Sequence, residues 1–282
     1  MKFARLGPPG REIPVVLNGT TAHDLRPITA DIDGAFLAST SLRDIVLSQL
    51  PKIENADALR IGAPVARPSA IYCVGMNYAA HAAESGAKAP EQPVLFMKPP
   101  NTLSGPFDDA QIPRNSVKTD WEVELAVVIG RRCNYLDSPK EAMDYVAGFT
   151  LANDLSERAF QIELSGGQWS KGKSAPGFTP LGPWLVTPDE IDHHNLRLRS
   201  YVNGQPRQDS VTSDMIFSVE HVIWHLSQFL AFEPGDIILT GTPEGVALSG
   251  KFPYLSPGDV VELEIEGLGS QRQVMQAHTG GH

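Results

Sequence analysis

The chain has 282 residues, enough to bury a sizeable core in one large domain or in one domain with a small appendage. Its 33 acidic residues outnumber its 23 basic residues, and no lysine or arginine cluster is present, which argues against a nucleic-acid or anionic-membrane surface. No apolar run approaches membrane-spanning length, and Cys73 and Cys133 have neither metal-ligand nor disulfide spacing, so we expect a cytoplasmic protein with buried free thiols.

The first part of the chain is weakly patterned. A helix-like pattern runs from residue 41 to residue 50. Pro64 and Pro68 then interrupt the chain before a buried-strand pattern begins. These features predict a small N-terminal domain over residues 1–65 and a larger domain over residues 66–282.

Short apolar strands alternate with Gly/Pro turns through the larger region. The predicted strands cover residues 70–75, 94–97, 123–129, 184–186, 196–202, 236–239 and 260–265. Helices are predicted at residues 138–146 and at residues 215–230, where apolar side chains recur at helical spacing. No regular βαβ alternation is visible, which disfavours a doubly wound parallel sheet. The pattern predicts a mixed, β-rich α+β fold.

Two glutamates separated by one residue are the most informative feature of the chain. Glu122 and Glu124 lie in an apolar, β-branched run, and strand alternation places them on one face, with their neighbours facing the core. A third carboxylate, Asp154, ends a later apolar run. Three oxygen ligands without a nearby cysteine or histidine cluster suit Mg²⁺ or Mn²⁺. A solvated strand face with Asp154 capping a helix fits the same spacing, so the residues alone leave both readings open.

A short helix is predicted between Asn77, as its N-cap, and Gly86, just past its C-terminal end. His81 and Glu84 are three residues apart, so they share one face of that helix. Such a pair can activate water, because the carboxylate orients the ring and stabilises its charged form. A surface contact within one helix is the more common explanation of this spacing.

Residues 167–174 match the phosphate-loop pattern, in which a glycine is followed, after four residues of any type, by Gly-Lys-Ser. That motif needs a preceding strand and a helix that begins at the lysine. Here residues 155–164 are polar and helix-like, and Pro176 and Pro180 prevent a following helix. We therefore reject the phosphate loop and place Lys173 in an irregular loop, as a solvated cation or as an anchor for a substrate anion.

Two other polar segments have open interpretations. His193 and His194 lie in a polar stretch that predicts a surface turn. Residues 239–246 follow a strand, and their glycines and proline form a tight turn that exposes backbone N–H groups and the Thr242 hydroxyl. That turn is either a cradle for a carboxylate or only a turn.

Five motifs occur in the order seen in the fumarylacetoacetate hydrolase superfamily, and the likeness runs from about Ile71 to Glu266. They are Asp120-Trp-Glu-Val-Glu-Leu125, Asn153-Asp-Leu-Ser-Glu-Arg-Ala-Phe-Gln161, Gly172-Lys-Ser174, Pro180-Leu-Gly-Pro-Trp184 and Thr240-Gly-Thr-Pro-Glu-Gly-Val246. The chain resembles the smaller acylpyruvate and diketo-deoxy-acid hydrolases of this family. The resemblance implies a mixed β-sandwich roll, one bound Mg²⁺ or Mn²⁺ ion, and a homodimer. The apolar face of the predicted helix at 215–230 is a second reason to expect a homodimer.

The resemblance also implies roles for three groups of residues. The metal ligands are Glu122, Glu124 and Asp154. The catalytic residues are Lys173 and, on a mobile lid helix, the water-activating pair His81 and Glu84. The substrate-binding residues are Arg158, Gln161 and Thr242. Many relatives carry an Asp-Thr pair soon after the lysine, whereas this chain continues Ser174-Ala-Pro-Gly-Phe178. The pocket wall therefore differs, and the fold transfers more safely than the substrate.

The activity implied by the resemblance is metal-dependent hydrolysis of a carbon–carbon bond in a 2,4-diketo acid. The substrate would be an acylpyruvate or a 2,4-diketo-3-deoxy sugar acid, and the products pyruvate and a carboxylic acid. Oxaloacetate decarboxylation and isomerisation of a 2-hydroxyhepta-2,4-diene-1,7-dioate pass through a similar enolate, so both remain alternative activities. A non-catalytic 2-oxo-acid binding protein is a remoter alternative, against which His81, Glu84 and Lys173 argue. The expected partner is a small 2-oxo acid, with no nucleic acid and no membrane.

Overall fold

The computed structural model describes residues 1–39 and 42–279, and within them it contains nineteen strands and three short α-helices. The strands are β1 (Lys2–Leu6), β2 (Ile13–Asn18), β3 (Thr21–Asp24), β4 (Ile61–Gly62), β5 (Ile71–Gly75), β6 (Val94–Lys98), β7 (Leu103–Ser104), β8 (Ala110–Gln111), β9 (Thr119–Asp120), β10 (Val123–Ile129), β11 (Val146–Asn153), β12 (Ser156–Glu157), β13 (Thr179–Pro180), β14 (Leu185–Val186), β15 (Arg197–Val202), β16 (Gln205–Val211), β17 (Ile237–Leu239), β18 (Val260–Ile265) and β19 (Gly269–Gln276). The α-helices are α1 (Gly34–Ser39), α2 (Ala79–Glu84) and α3 (Val219–Ser227).

Two sheets form the body of the fold. The larger sheet has ten strands in the order β3-β2-β1-β14-β11-β10-β17-β5-β6, with β4 paired to β1, and the smaller has the order β16-β15-β18-β19-β8. Most neighbours are antiparallel, whereas β17 runs parallel to β5 and β19 parallel to β8. Strands β10 and β11 contact β15, β18 and β19, so the two sheets face each other. The structure confirms the predicted mixed β fold with few helices.

The alternation along β10 divides its side chains between the two faces of the larger sheet. Val123 and Leu125 are fully buried in the core between the sheets, where Leu263 of β18 belongs to the same cluster. Ala126 belongs instead to a second cluster with Cys73 of β5. The period of two predicted from the sequence is therefore present, and it directs Glu124 to the face opposite the main core.

The predicted helices differ from the observed ones in length and type. The segment 138–146 forms a 3₁₀ helix over Pro139–Tyr145. The helix predicted at 215–230 is α-helical only over α3, because Ser218 caps it by accepting a hydrogen bond from the His221 N–H at 3.3 Å. The helix predicted at 41–50 contains 3₁₀ turns from residue 42 onward, and its first residue lies outside the described residues.

The apolar face of α3 is buried in the chain's own core. Val219, Ile223 and Leu226 are all at most 3% exposed and belong to the cluster between the sheets. This face is therefore not available to a partner chain, so it no longer supports the expected homodimer. The other side of the helix carries the stacked rings of His221 and His225, and the 70% exposed Phe229 follows the end of the helix.

The N-terminal residues join the larger sheet. Strand β1 pairs with both β2 and β14, and Phe3 shares a buried cluster with Val128 and Leu185. The division into two domains at residue 66 stays a prediction. Both cysteines are buried and free, as expected. In the part of the chain that the structure describes, no helix is long and apolar enough to cross a membrane.

Candidate active site

Three acidic side chains converge where β10 begins and β11 ends. Glu122 directly precedes β10, Glu124 is its second residue, and Asp154 directly follows β11. The Asp154 N–H donates to the Glu122 carbonyl at 3.0 Å, which holds the two strand ends together. One carboxylate oxygen of each residue lies within 4.8 Å of the others, and none of the three residues is more than 5% exposed. The structure thus brings the three predicted metal ligands together.

Two buried lysines contact this cluster. Lys173 Nζ donates to Glu122 Oε2 at 2.7 Å and to Asp154 Oδ2 at 2.6 Å. Lys98, the last residue of β6, donates to the other oxygen of Asp154 and to the Phe178 carbonyl at 2.6 Å. Burial opposes the charge on Lys173, but Asp154 and Glu122 outweigh it and raise the pKa of this lysine, so it is a cation at neutral pH. The sequence analysis missed Lys98.

The loop around Lys173 is not a phosphate loop. Residues Trp169–Gly172 form a 3₁₀ turn, and Lys173 follows it as the capping residue. A Cβ atom on Gly172 would lie 2.4 Å from the Glu157 carbonyl oxygen, so only glycine permits this close packing. The strand and helix that a phosphate loop requires are not found on either side of the lysine among the described residues.

Arg158 is fixed by Asp120 and reaches the cluster. Its Nε donates to Asp120 Oδ2 at 2.8 Å, and its Nη2 lies 2.7 Å from Glu122 Oε1. Its Nη1 donates to Gln161 Oε1 at 3.0 Å. Asp120 also accepts from the Ala247 N–H at 2.8 Å, so one carboxylate positions both the arginine and the turn beyond β17. Asp120 lies in a motif that the sequence analysis quoted, but its role was missed.

The buried charges of this site do not balance. Four carboxylates face three cations: Asp120, Glu122, Glu124 and Asp154 against Lys98, Arg158 and Lys173. Burial opposes ionisation of Glu122, but Lys173 and Arg158 outweigh it and lower its pKa. By contrast, burial and the charges of Asp154 and Glu122 raise the pKa of Glu124 well above its usual range.

This imbalance fits a bound divalent cation. No ion pair to Glu124 is present within the described residues, and its Oε2 accepts only the Gly241 N–H, at 2.8 Å. A cation among the three carboxylates would supply the missing positive charge. An all-oxygen donor set is the kind that Mg²⁺ and Mn²⁺ prefer.

The predicted histidine and glutamate pair lies over this cluster, on α2. His81 Nδ1 is 3.2 Å from Glu84 Oε1, and the same oxygen accepts the Gly245 N–H at 2.9 Å. His81 is only 6% exposed. Because its Nδ1 faces the carboxylate, Nε2 is the ring nitrogen that can exchange a proton with a substrate or water.

Asn77 does not cap α2, contrary to the prediction. The capping position is Tyr78, which forms no side-chain capping bond. The Asn77 amide instead donates to the carbonyls of Phe217 at 3.0 Å and Thr240 at 2.8 Å. Buried carbonyl groups need a partner, and this amide supplies it where two loops meet.

The turn after β17 uses several of its polar groups on the protein itself. The Thr242 hydroxyl donates to the Val123 carbonyl at 2.9 Å and accepts from Gln208 Nε2 at 2.8 Å. The N–H groups of Gly241 and Gly245 bind glutamate side chains. Thr242 lines the site, but its part in binding a substrate carboxylate stays a prediction.

A cavity of about 230 Å³ joins these residues. Its polar lining side chains are His81, Ser85, Glu122, Glu124, Arg158, Gln161, Lys173 and Thr242. Its apolar lining side chains are Val74, Met76, Ala87, Phe96, Ile162, Trp169 and Leu248. The rings of Phe96 and Trp169 meet edge to face at 5.9 Å, and Gly75 leaves space for the tryptophan, since a Cβ there would lie 2.5 Å from the ring.

Known proteins resemble the chain over almost its whole length. A 2,4-didehydro-3-deoxy-L-rhamnonate hydrolase from Sphingomonas sp. (strain SKA58) is 44% identical over 278 residues, which cover 97% of this chain and 95% of that protein. The solved structure of a fumarylacetoacetate hydrolase from Exiguobacterium antarcticum is 33% identical, with a TM-score of 0.87 over 99% of this chain and 100% of that one.

A third similar protein was solved with ligands. The structure of maleylpyruvate hydrolase from Sphingobium sp. SYK-6 contains manganese(II) and pyruvate; it is 26% identical, with a TM-score of 0.82 over 99% of this chain and 100% of that one. The sequence profile of the fumarylacetoacetate (FAA) hydrolase C-terminal domain matches residues 70–276. The chain therefore belongs to the fumarylacetoacetate hydrolase family.

Proposed function

We propose that this protein is a metal-dependent hydrolase that cleaves the C3–C4 bond of a 2,4-diketo acid, giving pyruvate and a carboxylic acid. One observation carries the proposal: Glu122 and Glu124 of the acidic cluster line the same small cavity as His81, which Glu84 orients from behind, while Asp154 completes the cluster. Binding alone would not need a pair that activates water, so this combination favours catalysis over a non-catalytic 2-oxo-acid binding protein.

Glu122, Glu124 and Asp154 would hold Mg²⁺ or Mn²⁺. When bound, such an ion polarises a substrate oxygen as a Lewis acid and stabilises negative charge that develops there. The named relatives support this assignment at the level of the family, because one of them was solved with manganese(II) and pyruvate.

His81 and Glu84 would act on the water. Glu84 holds Nδ1 of the ring, so Nε2 takes a proton from a water molecule while the water oxygen bonds to C4 of the substrate. The C3–C4 bond then breaks, and its electron pair leaves as the enolate of pyruvate. His81 returns the proton to C3, which completes pyruvate and the carboxylic acid.

Lys173 and Arg158 would stabilise negative charge during this reaction. Lys173 is a buried cation, 1% exposed, beside the acidic cluster, and it lines the cavity. A fixed ammonium in a site of low polarity lowers the free energy of a nearby enolate more than it would in water. Arg158 and Gln161 line the same cavity and are proposed to contact the 2-oxo acid.

The cavity walls favour a substrate with one carboxylate and an uncharged tail. Phe96, Ile162 and Trp169 supply apolar surface, and the two cations that line the cavity, Arg158 and Lys173, are both paired with acidic side chains. A second carboxylate on the tail would lose its hydration without gaining a free cation among the described lining residues. An acylpyruvate or a deoxy-sugar diketo acid therefore fits better than oxaloacetate or a dienedioate.

The test is a turnover assay with product analysis across these substrate classes. Acylpyruvates and a 2,4-diketo-3-deoxy sugar acid should give equal amounts of pyruvate and acid, and oxaloacetate and a dienedioate should react more slowly. His81→Ala should lower the hydrolysis rate by about 10²–10⁴-fold, because general-base help is lost. Its metal affinity should be unchanged, since the metal ligands lie on other elements.

Lys88→Ala is the matched control, because Lys88 is exposed and follows α2 in the same segment. That variant should keep wild-type turnover. If His81→Ala hydrolyses diketo acids at the wild-type rate, His81 does not activate water, and decarboxylation or isomerisation becomes the better assignment. No turnover of any class would favour the binding protein.

A further inference from the structure

A second group of metal-ligating side chains lies outside the residues that line the proposed catalytic cavity. His193 and His194 occupy the predicted surface turn before β15, and Glu220 is in the first turn of α3. Nε2 of His193 lies 2.8 Å, and Nε2 of His194 3.3 Å, from the same oxygen, Oε1 of Glu220. One ligand atom of each residue lies within 4.8 Å of the others. The proposed catalytic mechanism uses none of them.

The spacing suits a four-coordinate metal ion. Bonds of about 2.0–2.2 Å in a tetrahedral site place neighbouring ligand atoms about 3.3–3.5 Å apart. The contact between His194 and Glu220 already has this length, and the contact between His193 and Glu220 needs to open by about half an ångström. A rotation of the partly exposed Glu220 side chain is enough for that.

Packing orients the first imidazole before any ion arrives. The His193 ring stacks on Phe149 with centroids 4.7 Å apart and planes at 17°, and its side chain is 11% exposed. A ring held in place by packing needs little reorganisation to bind a cation.

The second imidazole leaves the cluster open to solvent. The His194 side chain is 59% exposed, and a cavity of about 260 Å³ lies beside both histidines, lined also by Thr212, Ser213 and Ser218. Water can therefore complete the coordination shell, as in metal sites with three protein ligands and one open position.

We propose that His193, His194 and Glu220 form a second metal site, selective for a transition ion such as Zn²⁺ over Mg²⁺. Two imidazole nitrogens and one carboxylate oxygen are the donors that Zn²⁺ prefers, whereas Mg²⁺ prefers oxygen alone. An ion there links the turn before β15 to α3, so it stabilises the fold independently of the proposed catalytic reaction.

The experiment is calorimetric titration of the full chain with Zn²⁺ in a constant excess of Mg²⁺. We expect one Zn²⁺ per chain in the wild type. His194→Ala and Glu220→Gln should each weaken this binding by at least about 10–100-fold, since even outer-sphere changes have effects of that size. His278→Ala, which removes an exposed histidine elsewhere in the chain, should bind as the wild type does.

Two further measurements separate this site from the acidic cluster and from misfolding. Glu124→Ala should still bind one Zn²⁺, and His194→Ala in that background should bind none. Zn²⁺ should raise the Tm of the wild type but not that of His194→Ala, whose exposed side chain can be removed without disturbing the core. The second site would be overturned by any of three results. These are no Zn²⁺ binding by the wild type, Zn²⁺ binding that is unchanged in both His194→Ala and Glu220→Gln, and Zn²⁺ binding that is lost in Glu124→Ala.

Discussion

Glu84 on α2 and Gly245 in the turn after β17 are joined by a hydrogen bond of 2.9 Å, in which the glycine N–H donates to Glu84 Oε1. The same carboxylate oxygen lies 3.2 Å from His81 Nδ1. One side chain therefore both docks the helix on the turn and orients the imidazole that the proposed mechanism uses. The helix is only six residues long, and four of them are alanines, so few other side-chain contacts hold it in place.

We expect α2 to open when no ligand is bound. Gly86, two residues beyond the last residue of the helix, has a φ of +73°, and the small helix surface lowers the free energy needed for detachment. Amide hydrogen exchange over Ala79–Glu84 should be fast in the free protein and slower with Mg²⁺ and oxalate, a stable 2-oxo-acid mimic. Equal protection in both states would mean that α2 is a fixed wall and not a lid.

Lys98→Met should strongly destabilise the protein. The Lys98 side chain is fully buried against Asp154, and removing one partner of a buried ion pair costs about 3–5 kcal/mol because the other charge stays unpaired. Lys118→Met is the matched control, since Lys118 pairs with Glu163 at the surface and such a pair contributes about 0–1 kcal/mol. Urea unfolding of both variants in chelator measures the difference. If Lys98→Met lowers the free energy of unfolding as little as Lys118→Met does, the buried ion pair between Lys98 and Asp154 is contradicted.

Glu220 should stabilise the protein in a pH-dependent way. Its pKa falls from an ordinary 4.5 to about 2 in the folded state, chiefly through the hydrogen bond from His193 and against burial. A lowered carboxyl pKa stabilises the fold above about 4.5, and this contribution disappears as the pH falls through about 2. Glu220→Gln should thus cost about 1–2 kcal/mol at neutral pH, after discounting for solvent screening, and progressively less in acid.

Unfolding curves in chelator, recorded at a series of pH values, measure this contribution. Glu233→Gln is the control, because Glu233 is 45% exposed and pairs with the exposed Arg132. Glu233→Gln should change the free energy of unfolding only slightly at every pH in the series. A cost of Glu220→Gln that stays constant as the medium becomes acidic would contradict the assigned direction of the pKa shift.

A homodimer is the expected assembly, and it now rests on family membership alone. The apolar face of α3 is packed inside the chain, so a partner must use another surface. Sedimentation at micromolar concentration should show a species of twice the chain mass, about 61 kDa, which is double the 30.5 kDa of one chain. A single species at the mass of one chain would rule the dimer out.

Local patterns predicted much of the fold. The period of two around Glu122 and Glu124 is a property of a single strand, so their shared face could be inferred without knowing which strands pair. The helix at 215–230 was predicted too long because Met215 and Ile216 are apolar. The Ile216 N–H in fact donates to the Asn77 carbonyl at 2.7 Å, a contact between distant segments that no local pattern reveals.

The site was predictable only as far as its residues lie in recognisable motifs. Lys98 follows the predicted strand 94–97 and precedes two prolines, and a single lysine in that context usually indicates a surface position. Its burial depends on Asp154, which is 56 residues away. Asp120 was missed for the same reason, since its hydrogen bonds to Arg158 and Ala247 become visible only when the chain is folded.

The most direct test of the catalytic account is the release of pyruvate from acetylpyruvate by chelator-treated protein, before and after addition of Mg²⁺ or Mn²⁺. The wild type and Glu91→Ala, which removes an exposed glutamate, should release pyruvate and acetate in equal amounts only when the ion is present. Glu124→Ala should be slower by at least about tenfold, because it lacks one ligand of the proposed metal site. Pyruvate release that needs no metal ion, or that is unchanged in Glu124→Ala, would contradict the proposed site.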